Sequence, residues 1–216
     1  MNAMTDIVVM RAVSSDNQAH ADRVRKMLDD NRVVGLNMIS GPGSGKTTLL
    51  ERTIRDNPDL RFGIIEGDVF TARDAARIEA VGAPSIQLNT EGACHLTAHM
   101  IETVLPRLDL SALDFVIVEN IGNLICPSAF PLGMHKRVVL LSTPEGHDKV
   151  LKYPQAFHTS DVVLITKTDV ASAVGFDLSV VVGDLKSVNP KVEPWKISAV
   201  TGEGLDRWYK WLRSLK

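Results

Sequence analysis

Two cysteines in 216 residues are too few for a fold held together by disulfides. Reduced thiols in a cytoplasmic protein are the expectation. Positive charge is not in excess either: 24 Lys and Arg stand against 26 Asp and Glu, for a net charge of −2. That leaves no electrostatic case for a nucleic acid or an anionic membrane as partner. No apolar run approaches the roughly twenty residues of a membrane span. The first residues, "MNAMTDIVVMRAV", hold only a short apolar run and make a poor signal peptide. Internal repeats, low-complexity tracts and Gly/Ser linkers are missing, so one domain over residues 1–216 is expected.

What is present is alternation. Short apolar runs at 33–39, 61–67, 84–89, 114–120, 137–143, 161–166 and 192–198 read as strands. Helical stretches are expected near 15–32, 46–56, 71–80, 92–105, 177–188 and 203–215. In the last of these, Leu205, Trp208, Trp211 and Leu212 form the expected core face. Such a pattern predicts an α/β fold, three layers deep, with a mostly parallel central sheet. Ligands then belong at the carboxyl ends of the strands.

Each chemically distinctive motif falls at such an end. After the first strand comes "SGPGSGKTT", residues 40–48, a phosphate-binding P-loop between strand and helix. Gly41, Gly43 and Gly45 let the backbone curl so that its N–H groups, with those of Ser44 and Thr48, face phosphate oxygens. Lys46 is suited to neutralise the β- and γ-phosphates, and Thr47 to ligate Mg²⁺. Ser40 stands where the pattern has its first glycine. The strand ending "VENIG" supplies Glu119 near Mg²⁺ and Gly122 near the γ-phosphate; a plain strand cap is the alternative for Glu119. The strand ending "EGD" supplies Asp68, a further Mg²⁺ neighbour or holder of the attacking water, or simply an acidic turn residue. Lys46, Asp68 and Glu119 are the candidate catalytic residues. "TKTD" at 166–169 matches the guanine-reading Asn-Lys-x-Asp pattern at Lys167 and Asp169, with Thr166 in place of Asn. Ser198 and Ala199 of "SAVTG" end the next strand, as a guanine-base loop does. Together these two motifs favour GTP and GDP as ligands.

Taken with "EGACHL", "ENIGNLICP" and "LGMHKRVVLLSTPEGHDKVLKYP", the P-loop text resembles the hydrogenase nickel-incorporation GTPases, the HypB family of SIMIBI-class P-loop proteins. The likeness runs from about residue 15 to the end. It implies a GTPase that forms a nucleotide- or metal-dependent homodimer and assists nickel insertion during [NiFe]-hydrogenase maturation. Its partners would be other maturation proteins or the hydrogenase large-subunit precursor. By the same resemblance Cys94, His95 and Cys126 form a Ni²⁺ or Zn²⁺ site between subunits, and Lys149 or Lys152 reaches the partner's nucleotide. A urease-type nickel GTPase would show Cys-Pro-His, whereas this chain has Cys126-Pro127-Ser128. A metal store that binds nucleotide without turnover is the other alternative.

The residues set their own condition on that metal site. Neighbours on a helix point about 100° apart. Cys94 and His95 therefore share an ion only in the frayed first turn of the expected 92–105 helix, or across a twofold axis. Burial of both thiols as small apolar groups is the competing reading. His99 is an additional ligand candidate; His20, His135, His147 and His158 need no function.

Overall fold

β-branched and aliphatic runs make the strands. β1 (Val34–Ser40), β2 (Phe62–Asp68), β3 (Ser85–Asn89), β4 (Phe115–Glu119), β5 (Lys136–Ser142), β6 (Val162–Thr166) and β7 (Pro194–Lys196) form one sheet in the order β3-β2-β4-β1-β5-β6-β7. Every neighbouring pair is parallel. The computed structural model describes residues 3–68, 73–90 and 92–216, and side chains for 15–67, 77–90 and 92–216.

Nine helices lie among the described residues: α1 (Ala3–Asp30), α2 (Lys46–Asp56), α3 (Arg73–Ala80), α4 (Ala98–Val104), α5 (Cys126–Ala129), α6 (Lys149–Lys152), α7 (Pro154–His158), α8 (Leu178–Val188) and α9 (Leu205–Ser214). Strand periodicity divides the core between two faces. Phe115 and Ile117 of β4, with Leu36 and Met38 of β1, pack against α2, α3 and α9. Val116 and Val118 face α1 and α4 on the other side. Farther along that side, Val139 and Leu141 of β5 and Val163 and Ile165 of β6 meet α6, α7 and α8. Trp208 is fully buried and its indole N–H donates to Thr53 Oγ1 at 2.9 Å. Trp211 is only partly buried, stacked on Trp208. No helix among the described residues is long and apolar enough to cross a membrane.

Three sequence expectations shift. The helix expected from residue 15 begins at Ala3. The helix expected from 92 begins only at Ala98, because the Thr97 hydroxyl accepts the Met100 N–H at 3.3 Å and caps it there. The ladder of the last strand is confined to Pro194–Lys196 at the sheet edge.

Chain direction places the site. The strand order reverses around central β1, with β4 on one side and β5 on the other. The carboxyl end of β1 is therefore the crevice where a doubly wound sheet takes its ligand.

Candidate functional site

The loop between β1 and α2 takes left-handed backbone at Gly43 (φ +71°) and Gly45 (φ +94°), which a side chain would oppose. Ser40 is fully buried and works inside the loop: its hydroxyl accepts from Lys46 Nζ at 2.8 Å and from the Ser44 hydroxyl. Thr47 Oγ1 donates to Glu119 Oε1 at 2.9 Å, joining the start of α2 to the end of β4. Both are buried. The Asp68 side chain lies outside the described residues. Glu66, two residues earlier in the same triplet, is 3 % exposed and stands in register with Glu119 across β2 and β4. Glu66 and Arg77 line the cavity of about 340 Å³ over the loop, alongside Lys46, Thr47, Glu119 and Gly122. The sequence reading singled out neither; the signal for Glu66 was its place in the "EGD" strand end.

A second cavity, of about 200 Å³, adjoins the first and is lined by Thr166, Lys167, Asp169, Ser198 and Ala199. The Ser198 hydroxyl donates to Asp169 Oδ1 at 2.7 Å and accepts from Thr201 N at 3.1 Å, which fixes the carboxylate. Lys167 holds a left-handed backbone (φ +58°), its carbonyl taken by Thr143 Oγ1 at 2.7 Å. Its side chain lines both cavities and passes the P-loop at Gly45. Thr166 does not face the base position as a reader of it: its buried hydroxyl donates to the Ser44 carbonyl at 2.7 Å. It thus ties the base strand to the phosphate loop.

Cys94 and His95 lie in the loop before α4, so helical geometry does not separate them. Cys94 Sγ is 3.5 Å from His95 Nδ1, and the ligand atoms of Cys94, His95 and Cys126 all fall within 4.8 Å of one another. Both cysteines are free thiols. The His95 ring stacks on Phe130, centroids 4.3 Å apart, and burial pushes its pKa down, favouring the neutral ring that ligates. The neighbouring Cys126 thiol, and desolvation after it, push the Cys94 thiol above its ordinary range.

This trio is joined physically to the phosphate loop. Cys126 opens α5, four residues after Gly122. Buried Asn120 accepts Leu96 N at 3.4 Å and Ile121 N at 3.0 Å through one carbonyl oxygen, while its amide donates to Asn37 at 3.3 Å. Asn123 Nδ2 donates to the Cys94 carbonyl at 3.4 Å. A Cβ on Gly122 would stand 2.8 Å from Pro42 Cα, and one on Gly67 would strike Leu96. A cavity of about 530 Å³ runs from Gly41 and Pro42 past Gly122 to Cys94. Lys149 lines it and pairs with Asp148 at 3.0 Å; Lys152 also pairs with Asp148 but is more exposed.

Comparison with known proteins identifies the family. Residues 36–195 match the model of the CobW/HypB/UreG nucleotide-binding domain. The hydrogenase maturation factor HypB of Escherichia coli K12 is 43 % identical over 203 residues, 94 % of this chain and 70 % of that protein. A probable HypB of Methanocaldococcus jannaschii is 40 % identical over 92 % of this chain and 90 % of its own length. The crystal structure of Helicobacter pylori HypB in complex with nickel superposes with a TM-score of 0.89 at 39 % identity, covering 92 % of this chain and 94 % of that one. FtsY of Mycoplasma mycoides, at 15 % identity and a TM-score of 0.55, shares the fold alone. The chain belongs to the HypB family of hydrogenase maturation factors, P-loop GTPases of the CobW/HypB/UreG group.

Proposed function

We propose that this protein hydrolyses GTP to control a nickel ion held by Cys94, His95 and Cys126, and so assists nickel insertion during [NiFe]-hydrogenase maturation. The observation that carries the reading is the path from the Cys94–Leu96 loop, hydrogen-bonded through Asn120 to Ile121, and on through the close packing of Gly122 against Pro42. Thiolates and an imidazole suit Ni²⁺ and Zn²⁺ alike. Nickel is favoured by the nickel complex of the Helicobacter pylori relative.

Three protein ligands per chain leave a four-coordinate site incomplete, and a second copy would complete it. The working form is therefore a homodimer, with Lys149 or Lys152 reaching toward the partner's nucleotide. The hydrogenase large-subunit precursor, or another maturation protein in the cytoplasm, receives the metal.

Within one chain, backbone N–H groups of Gly41, Gly43, Ser44, Gly45 and Thr48 embrace the phosphates. Lys46 exchanges Ser40 for phosphate oxygens as negative charge develops. Thr47 and Glu119, buried hard oxygen donors already in contact, fit an Mg²⁺ ion and would hold it together with Asp68. Bound there, that ion neutralises charge between the β- and γ-phosphates. Asp68 orients the attacking water, and the Gly122 N–H senses the γ-phosphate. Asp169, held by Ser198, accepts from the guanine N–H donors, while Ala199 closes the rim and the Lys167 stem covers the ring face.

Hydrolysis of GTP and ATP, with and without Ni²⁺, tests this reading. GTP turnover that falls by several orders of magnitude in folded Lys46→Ala is expected. Equal affinity for GTP and ATP would refute guanine recognition, and metal binding without turnover would leave a storage protein.

A further inference from the structure

The packing of α1 on α4 assembles a second set of ligand-type side chains. Asp16 and His20 are one turn apart on α1; His99 and Glu102 are three residues apart on α4. Each pair shares one helix face. Ring nitrogens of His20 and His99 and a carboxylate oxygen of Glu102 all lie within 4.8 Å of one another. The Asp16 carboxylate is 3.8 Å from His20 Nε2. His20 and Glu102 are mostly sheltered, while His99 is exposed and leaves the cluster open to solvent.

We propose that His20, His99 and Glu102 form a second divalent transition-metal site, which takes Ni²⁺ or Zn²⁺ through nitrogen and oxygen donors alone. Two imidazoles distinguish it from an Mg²⁺ or Ca²⁺ site, which would be all oxygen. Three donors from two helices leave the fourth position of a tetrahedral Zn²⁺ site to a water.

Arg23 is the cation that this cluster holds in the structure, and a metal ion would displace its Nη2. Its Nε donates to Glu102 Oε1 at 2.6 Å and its Nη2 to Oε2 at 3.1 Å. The same Nη2 is 2.7 Å from His20 Nδ1, which also touches Glu102 Oε2. That ring nitrogen faces a pure donor, which requires a lone pair, and a carboxylate, which requires a proton. A metal ion resolves the conflict. It takes the Nδ1 lone pair and Oε2, while Arg23 keeps Oε1 through Nε.

The test uses the full chain carrying Cys94→Ser and Cys126→Ser, which removes the thiol site. Zn²⁺ and Ni²⁺ are titrated in competition with a chromophoric chelator, without nucleotide. One ion per chain is expected, with no thiolate charge-transfer band in the Ni²⁺ spectrum. Adding His99→Gln should weaken uptake by about tenfold or more. Adding Arg23→Gln should instead tighten it, by up to about fivefold at low salt, because a competing cation is removed. The alternative is a plain ion-pair clasp between α1 and α4. In that case the Cys-free chain takes up no more metal than its His20→Ala/His99→Gln derivative, only the melting temperature responds, and the proposal is overturned.

Discussion

Gly122→Ala perturbs the contact between the nucleotide and metal sites with one methyl group. Gly122 is not in the left-handed region, so its backbone tolerates alanine and the effect is steric. The new Cβ would stand 2.8 Å from Pro42 Cα and 3.0 Å from Pro42 N and Cβ. Carbon contacts ordinarily settle near 3.5–4.0 Å, so one segment must retreat by roughly 0.7–1 Å. Pro42 sits in a loop pinned through Ser44 by Thr166, which leaves the Asn120–Gly122 segment to move. A misplacement of about 1 Å at a reacting group costs about a hundredfold in rate, or about 2.7 kcal/mol of transition-state stabilisation. GDP has no γ-phosphate for that segment to meet, so its affinity should stay within about threefold, under 1 kcal/mol. Single-turnover GTP hydrolysis, measured beside equilibrium binding of GTP and GDP, checks both expectations. Hydrolysis within about twofold of the parent would show that this contact does not position the chemistry.

Three further outcomes follow from other contacts. Asp169→Asn replaces an acceptor with a group that also presents donors to guanine; GTP affinity should fall by about tenfold to a hundredfold in a nucleotide titration, with ATP affinity little changed. Thr166→Val leaves the buried Ser44 carbonyl without its 2.7 Å partner, which costs about 1–3 kcal/mol, and should appear in both urea unfolding and nucleotide affinity. Asp114 is buried and accepts from the Arg61 backbone and guanidinium and from Lys216; Arg61, ahead of Lys216, holds its carboxyl well below the usual range despite desolvation. A depressed carboxylate adds stability above its unfolded pKa of about 3.9 and loses it as pH falls further, so Asp114→Asn should destabilise at pH 7 and progressively less below about pH 4, read from urea midpoints.

The sheet was legible because its central strands are mostly apolar runs buried on both faces, as "FVIV" of β4 is, and several end in phosphate-loop or base-loop motifs. The short helices α5, α6 and α7 were not, since four or five residues are too few for helical periodicity to register. The start of α4 was misplaced because Thr97 caps it without the acidic residue that completes a capping box. Thr166 looked like a damaged base motif; its partner Ser44 lies 122 residues away, a distance no local pattern spans. Asn120 was one letter in "ENIGN", and its bond to Leu96 depends on how the loop after β3 packs. His20 looked incidental, and His99 only a further ligand candidate beside His95, for the same reason: only the packing of α1 on α4 brings them together.

The central claim, that GTP and metal act on each other through Asn120 and Gly122, is tested most directly by one thermodynamic cycle. Ni²⁺ affinity is measured in the GDP-bound and GTP-analogue-bound protein, and analogue affinity with and without Ni²⁺. Linkage requires the two ratios to agree, with a coupling of about 1–3 kcal/mol, or roughly five- to 150-fold. Cys126→Ser should collapse both ratios to unity while leaving analogue affinity in metal-free protein unchanged. Identical Ni²⁺ affinity in both nucleotide states would contradict the claim and return Cys94 and Cys126 to the standing of incidental thiols.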